Sequence, residues 1–132
     1  MLFIIETKLK NSKSVVSYNL QLEGYDFVHA DTNMNAGGVG FYIKKNIKFH
    51  VLSNIPPLSD DCESLWLEIL TNQGNFVLGV VYRHLVSNHT LFREMFLNTI
   101  RYLSDHKHTA LRCIISVVIL ILILVTLRLN LI

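Results

Sequence analysis

Apolar positions follow two periods along the chain, short strand-like runs up to Arg83 and a helical spacing after it. Leu2 to Ile5 is a continuous apolar run, the pattern of a strand buried on both faces, and it stops at Glu6. After a polar stretch, Tyr25 to Val28 reads as a short strand. Gly37-Gly38 then precedes a β-rich run from Val39 to Ile43, which predicts a hairpin arm. Ile47, Phe49 and Val51 alternate with Lys48 and His50 until Pro56-Pro57 ends sheet pairing. Leu65, Leu67 and Ile69 alternate with Trp66, Glu68 and Leu70. The segment NFVLGVVYR is continuously apolar up to Tyr82-Arg83, and Asn72 to Gly74 supply the turn of an antiparallel pair. From Thr90 to His106 the apolar residues Leu91, Met95, Phe96, Ile100 and Leu103 recur at steps of three and four, which predicts a helix with Thr90 as its N-cap.

The segment CIISVVILILILVTL, Cys113 to Leu127, breaks this pattern. It carries no charge over fifteen residues and lies between Arg112 and Arg128. A spanning helix needs roughly 20 apolar residues, so a membrane segment here has to extend over 109–132 and let its arginines snorkel. Its isoleucines and valines equally suit a strand prone to aggregation. The tail also distorts the composition. The 51% apolar fraction and mean hydropathy of +0.38 are concentrated after Ala110, so they do not make the preceding residues unusual. At 132 residues the chain suits one modest domain. A net charge of +2 and pI of 8.6 give no clustered basic footprint of the kind nucleic acids attract. Cys62 and Cys113 stand alone, which indicates neither a disulfide framework nor a zinc site. The N-terminus lacks a basic region before its apolar residues, and Glu6 interrupts them too early for a signal peptide.

Four motifs in order, ETKLKNS, LEGYDFVHADTNMNAGGVGFYIKKNIKF, ESLWLEI and FVLGVVYRHLVSNHTLFREMF, resemble the endonuclease/exonuclease/phosphatase family, specifically the endonuclease domain of non-LTR (LINE-type) retrotransposons. The resemblance spans roughly Phe3 to His106. It implies an α/β fold, part of a two-sheet sandwich with a flanking helix, over residues 1–108, with 109–132 as an apolar tail. It also implies a parent that uses Mg²⁺ to hydrolyse a phosphodiester in DNA, in the nucleus or cytoplasm. Hard Mg²⁺ takes carboxylate oxygens and water and neutralises charge developing on the phosphate. By the resemblance, Glu6 is the metal-binding glutamate, Tyr82 the hydroxyl that orients the scissile phosphate, and Arg83 a further contact to the nucleic acid. Taken alone, Glu6 is a solvated strand end and Tyr82 a half-buried strand aromatic.

Departures from the family accompany the match. His84 and Leu85 stand where prolines usually follow Tyr-Arg, and Thr32 follows Asp31 where a basic residue is frequent. The family's strand asparagine before the glutamate, its Gly-Asp-Phe-Asn segment and its terminal Ser-Asp-His are missing. Where Gly-Asp-Phe-Asn belongs, Val117 to Leu124 can be encoded by GTG GTG ATT TTA ATA TTG ATT TTA, which two nucleotides later reads Gly-Asp-Phe-Asn-Ile-Asp-Phe. The expectation is therefore an inactivated fragment with a frameshifted tail, the alternative being a small protein anchored in a membrane through 109–132. His84, His89, His106 and His108 share no face and read as surface residues. Glu63 and Glu68 fall on opposite sides of one strand, which argues against a paired-carboxylate site. Gly37-Gly38 is turn chemistry and no phosphate cradle.

Overall fold

β-Branched and aromatic residues fill 27 of the first 83 positions, gathered in the strand-like runs, and such residues pack well on a pleated surface. The computed structural model describes residues 2–5, 7, 9, 20–33, 37–84, 88–105 and 116–118. Its elements are β1 (Leu2–Ile5), β2 (Tyr25–Ala30), β3 (Val39–Lys44), β4 (Lys48–Val51), β5 (Cys62–Leu70), β6 (Phe76–Arg83), α1 (His89–Asp105) and β7 (Ser116–Val118). One sheet has the order β1-β3-β2 and is antiparallel throughout. The other has the order β4-β5-β6-β7, antiparallel except for β7, which runs parallel to β6. The fold is thus of the α/β class, with mixed strands, one helix among the described residues and two small sheets.

Strand alternation divides the core in two. Val39, Phe41 and Ile43 of β3 meet Leu65, Leu67, Ile69, Leu78 and Val80 of β5 and β6 between the sheets. On the far side of the second sheet, Trp66, Val77 and Val81 pack against Phe92 and Leu103 of α1, with Leu58 from the preceding loop. β5 and β6 are therefore covered on both faces, and each fully buried aliphatic or aromatic side chain contributes about 1.5–3 kcal/mol relative to exposure. One close approach decides a residue type. A Cβ on Gly79 would lie 2.2 Å from the Trp66 ring, so only glycine lets the indole lie flat on β6.

Three expectations change. Leu2 is 53% exposed, so β1 begins as a solvent-facing strand and is not covered on both faces at that point. The N-cap of α1 is Asn88 and not Thr90: Asn88 Oδ1 accepts the Leu91 amide at 3.1 Å, and its carbonyl accepts the Phe92 amide at 2.9 Å. Leu91 faces outward, 48% exposed, because it lies off the buried stripe of Phe92, Thr99 and Leu103. Replacing Asn88 with alanine is expected to lower stability by about 1 kcal/mol in urea denaturation, the usual worth of such a cap.

The apolar tail enters the fold as a strand. Ser116, Val117 and Val118 pair with Leu78, Gly79 and Val80, which completes a β6-α1-β7 crossover. The rest of 109–132 lies outside the described residues. Among the described residues no helix is long and apolar enough to cross a membrane.

Candidate functional site at the Tyr82 end of the sandwich

Register brings Glu63, near the start of β5, directly opposite Tyr82, near the end of β6, on the side of the sheet that faces β3. At this end the sandwich is closed by polar groups. Glu63 is the hub. Its Oε1 accepts the Thr32 hydroxyl at 2.6 Å, and His84 Nε2 lies 3.0 and 3.1 Å from its two carboxylate oxygens. The side chains of His84 and Glu63 are only 8% and 11% exposed, and Thr32 is fully buried. A buried carboxylate requires such partners, because its charge is costly in a poorly solvated place. A carboxylate on one imidazole nitrogen also fixes the orientation of the ring.

The hub reaches further in both directions. The His84 ring meets the Tyr82 ring edge-on with centroids 4.9 Å apart, and the His84 amide donates to the Asp61 carbonyl at 3.0 Å. Gly37, with φ of +106°, lies against the pair so closely that a Cβ would stand 2.8 Å from Glu63 Oε2 and 3.0 Å from the His84 ring. Next to it, the Gly38 carbonyl accepts the Thr7 amide at 3.2 Å, while the Thr32 amide donates to the Leu9 carbonyl at 2.9 Å. The segment leaving β1 is thereby tied to the loop that holds Glu63.

The candidate residues from sequence are placed as follows. Glu6 lies outside the described residues. Tyr82 is half-buried at the hub. Arg83, one residue on, points to the opposite face, where its guanidinium stacks 5.5 Å from the centre of the Phe92 ring on α1, so the sheet separates it from Tyr82. His84 is buried and not a surface residue, since the end of β6 turns it back onto Glu63. His89 is exposed at the start of α1, and His106 and His108 lie outside the described residues. Thr32 serves the hub with its hydroxyl. Glu63 and Glu68 do face opposite ways, and Glu68 pairs instead with Asn75, 3.1 Å away.

Mg²⁺ asks for several converging hard oxygen donors. Among the described residues no group of three or more histidines, cysteines, aspartates and glutamates converges on one point. Both oxygens of Glu63 are engaged, and Asp31 Oδ1 already stands 2.7 Å from His29 Nδ1. The described donors do not fit the ion. Beside the hub a cleft of about 600 Å³ is bordered by Asp31, Asn33, Ser59, Asp60, Glu63 and Ser64. Its three carboxylates set up a field that disfavours a bare phosphate.

Cys62 lies across from Arg83 on the helix side of β5. Burial pushes its thiol above the ordinary value and outweighs the neighbouring guanidinium. Because the thiolate is the nucleophile, a Cys113→Ser chain is expected to react with iodoacetamide more slowly than a free cysteine peptide at neutral pH. Its rate should keep rising at alkaline pH after the peptide's has levelled off. A rate equal to the peptide's would show an accessible thiol.

No family model matches the chain, and no curated protein and no solved structure is significantly similar to it.

Proposed function

We propose that the chain is a degenerate piece of a retrotransposon endonuclease domain of the endonuclease/exonuclease/phosphatase type, keeping part of its two-sheet sandwich and lacking phosphodiester hydrolysis. One observation carries the reading. The end of the sandwich that holds Tyr82 also holds the segment following Glu6, and the buried carboxylate described there, that of Glu63, is bonded by Thr32 and His84. The position of β7 beside β6 supports the same descent, since the residues that lead into the anomalous tail occupy a strand.

In the parent, bound Mg²⁺ would supply Lewis-acid stabilisation of the phosphate. In this chain the described residues do less. Tyr82 packs its ring edge-on against His84, Arg83 is held against α1, and His84 is occupied with Glu63. Supercoiled plasmid incubated with the protein and Mg²⁺ is expected to show no nicking above that of Glu6→Gln. Mg²⁺-dependent nicking that both Glu6→Gln and Tyr82→Phe abolish would overturn the proposal. Translation of the coding DNA in the neighbouring frame across Val117 is expected to yield Gly-Asp-Phe-Asn. An unrelated peptide there would remove the frameshift from the account.

A further inference from the structure

We infer that Glu63, held between Thr32 and His84, is a positioning residue that couples Tyr82 to the segment following Glu6. The coupling is a chain of short contacts. The Tyr82 ring abuts the His84 ring, and His84 Nε2 bonds both oxygens of Glu63. Glu63 in turn leaves no room for a side chain at Gly37, whose neighbour Gly38 accepts the Thr7 amide. A second route runs from Glu63 through the Thr32 hydroxyl to the Thr32 amide, which donates to the Leu9 carbonyl. The steps are directional hydrogen bonds, one edge-on ring contact, and a Gly37 backbone too close to Glu63 and His84 to admit a methyl group. A displacement of His84 is therefore felt at Thr7 and Leu9, which belong to a segment far away in sequence.

This arrangement differs from a metal or phosphate site. Its carboxylate is satisfied by protein donors, and a hydrogen-bonded buried group specifies one geometry because every alternative leaves a charge or donor unpaired. The charged and polar groups at the hub are Thr32 from the loop after β2, Tyr82 and His84 at the end of β6, and Asp31, which borders the same cleft as Glu63. What the positioning serves rests on the reading above, in which Tyr82 and Glu6 share one phosphodiester site. The coupling itself does not.

Amide hydrogen exchange of the full chain, followed by NMR without metal, tests it. In His84→Ala, exchange at the Thr7 and Thr32 amides is expected to accelerate roughly tenfold, the effect of losing a buried hydrogen-bonded partner, with a shift of the Tyr82 ring signals. The Leu52 amide, which donates to the Trp66 carbonyl far from the hub, should keep its protection. Thr32→Val should accelerate Thr7 in the same way and Thr32→Ser should restore it, which keeps the test open if His84→Ala fails to fold. Uniform acceleration at Thr7, Thr32 and Leu52 would mean a general loss of stability, and unchanged exchange at Thr7 would mean no coupling. Either result overturns the inference. Failure of the descent reading shows elsewhere, in plasmid nicking, and leaves this exchange pattern untouched.

Discussion

Gly79→Ala is expected to destabilise the protein by about 3 kcal/mol, at the upper end of what overpacking a core costs. The new methyl would stand 2.2 and 2.3 Å from two carbons of the Trp66 six-membered ring. Trp66 is 2% exposed and packed among Leu58, Val77, Val81, Phe92 and Leu103, so the indole has nowhere to retreat without moving α1 or the loop before β5. The strand has no room to yield either, because β6 lies between β5 and β7 and Gly79 pairs with both Trp66 and Val117. Urea denaturation of Gly79→Ala, Trp66→Leu and the double variant measures the clash. Trp66→Leu alone should cost stability through lost burial, while in its presence Gly79→Ala should become nearly neutral. A Gly79→Ala penalty that persists unchanged beside leucine would show that the indole is not what the methyl strikes.

Much of the architecture is legible in the apolar pattern because the strands obey one of two simple periods. Leu65, Leu67 and Ile69 alternate with Trp66 and Glu68, and the uninterrupted β6 run beside them is the mark of a strand covered on both sides. The pattern is less informative at element ends. Asn88 and Thr90 are both good cap residues, and only the backbone geometry shows whose oxygen accepts an amide. Leu91 illustrates a related limit, since it fits the three- and four-residue spacing with Met95 yet lies off the buried stripe of Phe92, Thr99 and Leu103. β7 is harder still. A continuous run of isoleucine, valine and leucine fits a buried parallel strand, a core helix or a membrane segment equally well, and the distinction rests on β6 having a free edge to pair with.

The hub is invisible in the sequence for a different reason. Glu63 is weighed against Glu68 because both lie on one strand, yet its partners arrive from 31 residues before it and 21 residues after it. No local spacing announces such a meeting. The one available signal is His84 itself, a histidine following Tyr82-Arg83 where the family that the sequence resembles usually has proline. Proline could not supply the backbone amide that His84 donates to Asp61, nor a ring nitrogen for Glu63. His84 thus supplies a cross-link that closes this end of the sandwich, which proline at the same position could not. Arg83 follows from alternation alone: next to Tyr82 on a strand, it has to face the other way.

Removing the hub carboxylate should cost more than its modest count of contacts suggests. Glu63→Ala leaves His84 and Thr32 in place, two polar groups almost without solvent that then lack their hydrogen-bond partner. Leaving a buried donor or acceptor unsatisfied costs about 1–3 kcal/mol, and here two such groups lose their partner at once. The penalty should therefore fall when one of those groups is removed as well. In chemical denaturation at neutral pH, Glu63→Ala/His84→Ala is expected to lose clearly less stability than the sum of the two single variants, by more than the roughly 0.5 kcal/mol that separates additive from coupled sites. Glu63→Gln should lie between wild type and Glu63→Ala, because the amide keeps the shape and one acceptor oxygen but loses the second. If the two single losses simply add, Glu63 and His84 stabilise the chain independently. The close of the sandwich would then rest on the apolar contacts of β3 and β5, with the Glu63–His84 bond a bystander at their edge.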